Sequence, residues 1–123
     1  MNKKEINELC EAVMANPENY DWRDLFEYSE GPAIACTERF EYIKSMNPGI
    51  TRVNAINNDS ISRMISAEFD LLLALAWMHK RFTIEDRPAG MPPRSKGFKT
   101  ETFETEDIVE KLAYFNELKE SSE

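Results

Sequence analysis

Apolar residues recur at three- and four-residue intervals along most of the chain, the spacing that gathers side chains on one face of a helix. In the first segment Ile6, Leu9, Cys10 and Val13 form such a stripe, with Asn2 placed to cap it, Glu5 three residues later, and Pro17 as its limit. Asp21 is placed to cap a short turn that directs Trp22, Leu25 and Phe26 inward. Gly31 and Pro32 then open a helix over about residues 32–46 that buries Cys36, Phe40 and Ile43. The tripeptide "NPG" at 47–49 breaks it, because proline interrupts the hydrogen-bond ladder and glycine tolerates positive φ. In "ITRVNAI" the residues Ile50, Val53 and Ile56 fit neither period well, so a short strand or an irregular connection is expected there. Asn58 or Asp59 caps a long helix over about 60–82, and Thr105 caps a last one that aligns Ile108, Leu112 and Phe115.

The long helix carries the sharpest question in the sequence, since its apolar run also holds a glutamate, an aspartate and the chain's one histidine. At about 100° per residue, Ile61, Ile65, Leu72 and Leu75 share a stripe that includes Glu68 and His79. Glu68 therefore needs a partner, because a carboxylate withdrawn from water either finds donors or takes up a proton. His79 lies in the last turn with Lys80 and Arg81, where positive charge complements the helix dipole. Roughly 16 Å of helix axis separates it from Glu68, so the two do not act as a pair. Asp70 faces the other way, toward Arg63, Ser66 and Arg81, as a solvated or ion-paired residue. From 69 to 78 the helix is apolar nearly all round, which requires cover on more than one side. That cover is either the rest of a bundle or a second copy, a homodimer through the 69–78 face.

These elements predict a small, irregular all-α bundle of about four to five helices around a central helix near 60–82. A single domain spans 1–123, with a long loop at 83–104 and a frayed tail at 120–123. The amphipathic, acid-interrupted N-terminus lacks the apolar core of a secretory signal, and the longest apolar run, 71–78, is far short of the roughly 20 residues that span a bilayer. A cytoplasmic protein without membrane contact is expected. Cys10 and Cys36 sit on or beside apolar faces and behave as small hydrophobes.

Charge changes the picture more than composition does. Residues 80–99, "KRFTIEDRPAGMPPRSKGFK", hold six basic and two acidic residues in a chain of net charge −8, so the remainder carries −12. Three prolines and two glycines make this a loop, and long loops of this kind are functional or disordered. Arg87, Arg94, Lys96 and Lys99, with Met91 and Phe98 as apolar anchors, are candidates for contact with an acidic protein surface. The acidic field around them disfavours direct nucleic-acid binding. The converse role, an acidic mimic of nucleic acid, would fall to Glu104, Glu106 and Asp107 near the last helix and to residues 18–30.

Catalytic signatures fit poorly. All-α metal-dependent nucleotide pyrophosphohydrolases of the MazG type pair an ExxE on one helix with an ExxD on another to hold Mg²⁺. Glu38 and Glu41 have the first spacing, but Glu68 and Asp70 are spaced ExD and diverge by about 160° on the wheel. One histidine does not build a multi-histidine zinc site, and no phosphate-binding glycine loop is present. No cofactor is implied. The sequence thus points to a non-enzymatic binding protein acting stoichiometrically on another macromolecule, a protein first of all, as inhibitor, adaptor or accessory factor. Size, acidity and the lack of motifs suggest an origin in a phage or other mobile element. A small hydrolase or ligand-binding bundle using Glu68 is the competing expectation.

Overall fold

The computed structural model describes residues 2–76, 78 and 105–122. Among these, six α-helices and one 3₁₀ turn form an all-α bundle: α1 Lys3–Ala15, the 3₁₀ turn Pro17–Asn19, α2 Trp22–Glu27, α3 Glu30–Met46, α4 Arg52–Asn58, α5 Ser60–Ala76 and α6 Thr105–Ser122. Helix α5 is central and packs against α2, α3, α4 and α6, while α1 lies along α6. The expected loop at 83–104, the last turns of the 60–82 helix with His79, and Glu104 lie outside the described residues.

Short polar side chains cap the starts of α1, α2, α4 and α5. Asn2 and Glu5 close the capping box: the Glu5 amide donates to Asn2 Oδ1 at 2.8 Å and the Asn2 amide donates to Glu5 Oε1 at 3.2 Å. Asp21 Oδ1 accepts from the Arg23 amide at 2.9 Å to begin α2. Helix α3 begins at Glu30, two residues before expectation, because Pro32 sits in the first turn, where a missing N–H costs nothing. It stops at Asn47, before Pro48 and Gly49.

The stretch "ITRVNAI" departs from expectation: from Arg52 on it is neither strand nor irregular but the helix α4. Thr51 Oγ1 accepts from the Asn54 amide at 3.1 Å, and the residue turned into the core is Ala55, 1% exposed, while Val53 points to solvent. Helix α6 runs from Thr105 to Ser122.

The core joins Ile6, Cys10 and Val13 of α1, Leu25 of α2, Ile108 and Phe115 of α6, and the unbroken buried run 71–76 of α5. That run answers the question posed by its all-round apolar character: its own chain wraps it. A homodimer through 69–78 therefore finds no exposed apolar surface at 71–76. Ile61 is a correction to the expected stripe. It is 46% exposed, and Ser62 takes the buried place in the first turn with its hydroxyl satisfied by Asp59 at 2.7 Å.

Two polar links hold helices in register. Asn7 on α1 and Asn116 on α6 exchange amide hydrogen bonds, both at 3.0 Å, so each half-buried amide satisfies the other. Arg39 on α3 makes a two-pronged contact with Asp59, which also accepts from the Ser62 amide at 3.0 Å as the cap of α5.

Candidate functional site

Helix α3 has two unlike faces. One bears Cys36, Phe40 and Ile43, which the sequence placed in the core; all three are half-buried, and the one fully buried residue of this 17-residue helix is Pro32. Cys36 and Phe40 are not fully covered because a cleft of about 330 Å³ opens between α3, α4 and α5. Its α3 wall is Ala33, Cys36, Thr37 and Phe40; α4 contributes Arg52, Ala55 and Ile56; α5 contributes Ser62, Ser66 and Phe69.

The rim of this cleft is cationic. Arg52 lies with its guanidinium carbon 4.9 Å from the Phe40 ring centroid, and Lys44 Nζ lies 6.0 Å from the same centroid, both within range of the ring's negative face. Among the described residues neither cation has a carboxylate within 4 Å. Arg39, one turn back from Lys44, differs, since Asp59 engages it at 2.9 Å.

The reactive side chains of the cleft are held in unreactive forms. Burial pushes the Cys36 thiol up from its ordinary value, Glu68 adds to this, and the positive charge of Arg52 opposes it. A thiol held protonated is a poor nucleophile. Ser62 donates to Asp59, whose carboxyl is held well below the usual range by Arg39 and by the Ser62 donors, so Asp59 is too weak a base to activate it.

Glu38, Glu41, Glu68 and Asp70 do not converge on one point. Glu38 and Glu41 are exposed, and Asp70 pairs with Lys111 of α6 at 3.0 Å. Glu68 is half-buried, its carboxyl pushed up by burial and partly restrained by the charge of Lys119. Among the described residues, no group of three His, Cys, Asp or Glu side chains is disposed to hold a metal ion. None of the described helices is long and apolar enough to cross a membrane.

Of the other residues singled out from the sequence, Glu106 is exposed and Asp107 half-buried in the first turn of α6, where acids complement the helix dipole. Arg87, Met91, Arg94, Lys96, Phe98, Lys99, His79 and Glu104 lie outside the described residues. The sequence reading missed Arg52, Lys44 and the cleft. The signal for them is weak, because Phe40 and Arg52 meet only after the chain turns at Pro48 and Gly49 and starts α4.

The second face of α3 looks outward. Ile34, Tyr42 and Met46 are 60%, 53% and 68% exposed. At about 100° per residue they share an arc with Glu30, Glu38 and Glu41, on the side of the helix away from Cys36 and Phe40.

Compared with protein-family models, curated proteins and solved structures, the chain matches none.

Proposed function

We propose that the protein is a non-catalytic binding protein that engages another protein stoichiometrically through the outer face of α3. The observation that carries this reading is the row Ile34, Tyr42 and Met46, three large apolar side chains more than half exposed on one helical face. Single exposed hydrophobes are ordinary, but three on one side of a helix with acids set among them have the form of an interaction surface. Glu30, Glu38 and Glu41 lie among Ile34, Tyr42 and Met46 rather than around them, so the fitting partner presents apolar pockets with basic groups between them. The unreactive state of Cys36 and Ser62 and the divergence of the carboxylates favour binding over chemistry. Among inhibitor, adaptor and accessory factor, the surface is compatible with each.

Photocrosslinking residues placed singly at Ile34, Met46 and Val109 in the native host provide the test. The reading expects one shared protein adduct from Ile34 and Met46 and none from Val109, which is also more than half exposed, on α6. Adducts from Val109 alone, or the same pattern at all three, would move the interface elsewhere.

A further inference from the structure

The cleft on the opposite side of α3 has the volume and chemistry of a ligand site rather than of a packing defect. Its volume of about 330 Å³ falls at the lower end of the range for small-molecule pockets. Its walls are chiefly apolar, with hydroxyls at Thr37, Ser62 and Ser66. The Thr37 and Ser62 hydroxyls already donate within the protein, to the Ala33 carbonyl at 3.2 Å and to Asp59 at 2.7 Å. The groups that remain available for recognition are the Ser66 hydroxyl and the one cation of the lining, Arg52, stacked on Phe40 and without a carboxylate partner among the described residues. A chain of net charge −8 has carboxylates in excess, yet among the described residues none pairs with this guanidinium or with Lys44 beside the same aromatic ring.

We infer that the cleft binds a small monocarboxylate with an apolar body, its carboxylate against Arg52 and its body between Phe40, Ala55, Ile56 and Phe69. A planar guanidinium matches a carboxylate in two parallel hydrogen bonds, and the apolar walls oppose a dianion, whose second charge would have to be stripped of water. The site is separate from the outer face of α3, so occupancy here and protein binding there stand or fall independently.

Octanoate and octylammonium, which share a chain and differ in head-group charge, are the probes, followed by amide chemical shifts of the ¹⁵N-labelled protein. Octanoate is expected to give saturable shifts at Cys36, Ala55 and Ile56, with octylammonium giving none at the same concentrations. Arg52→Glu should weaken octanoate by about tenfold or more, the size of a lost charge-assisted hydrogen bond. Lys4→Glu, the same charge change on the exposed side of α1, should leave it unaltered. Arg52 is itself exposed at the start of α4, where a glutamate suits the helix dipole, and the amide spectrum reports that the variant is folded. The inference is overturned if octanoate produces no saturable shifts around the cleft, if both probes bind alike, or if Arg52→Glu binds octanoate as the parent does.

Discussion

Arg39 and Asp59, twenty residues apart, meet through two hydrogen bonds of 2.9 Å each, and the same carboxylate caps the first turn of α5. One side chain thus fixes both where the central helix starts and where α3 crosses it. Asp59→Ala should cost about 1–2 kcal/mol from the lost cap alone, measured by urea denaturation. Asp59→Asn should cost less, because asparagine also caps but cannot carry the charge. Equal losses in the two variants would mean that the ion pair with Arg39, which both variants lose, carries the contribution of Asp59, and not the cap.

Acid should act through the same carboxyl. Its value in the folded protein lies below that in the unfolded chain, so its stabilising contribution is complete above the unfolded value of about 4 and falls away as the pH drops toward the folded value. Denaturant midpoints followed from pH 6 to pH 2 should therefore fall more steeply for the parent than for Asp59→Asn.

Glu68 has the opposite sign. Its folded value is raised by burial, so ionisation at rising pH works against the native state. Glu68→Gln should gain stability relative to the parent as the pH rises from 4 to 7. A variant that loses ground over this interval would show that the carboxylate has a stabilising partner when charged.

The two cysteines should separate by reactivity. Cys10 is fully buried in the core, and burial, followed by the nearby charge of Glu11, pushes its thiol up to about 12. Cys36 is half-buried in the cleft wall with a smaller barrier to access. Iodoacetamide at pH 8 should label Cys36 slowly in the native protein and Cys10 only on unfolding, as peptide mass spectrometry would show. Octanoate should slow the labelling of Cys36 if it fills the cleft.

Much of the fold is legible in the sequence because local signals agree with the packing. Asn2 with Glu5, Asp21 before Trp22, and the Pro48–Gly49 break each act within a few residues; α1 buries Ile6, Cys10 and Val13 of its predicted stripe and α2 buries Leu25, whereas Cys36, Phe40 and Ile43 of α3 are only half-buried. Helix α4 is illegible for a specific reason: its inward residue is the small Ala55, while the larger Val53 faces water, so apolar size misleads about direction. Ser62 deceives in the same way, since a hydroxyl satisfied by Asp59 occupies a place where a hydrophobe is expected. The cleft depends on how three helices meet, and its cationic rim joins residues 40, 44 and 52 across a turn. Helical spacing on α3 alone divides its apolar residues between two faces, but only the packing of α4 and α5 reveals which face is covered.

Titration of the protein captured at Ile34 against the parent and against Ile34→Glu and Met46→Glu, by calorimetry, bears most directly on the claim that the outer face of α3 is the binding surface. Both side chains are exposed, so the variants should keep the parent's circular dichroism and melting temperature. The account predicts a saturable complex of fixed stoichiometry for the parent and at least about tenfold weaker binding for each variant, as for apolar anchors at the centre of an interface. Undiminished affinity in both variants, with their folds intact, would contradict it.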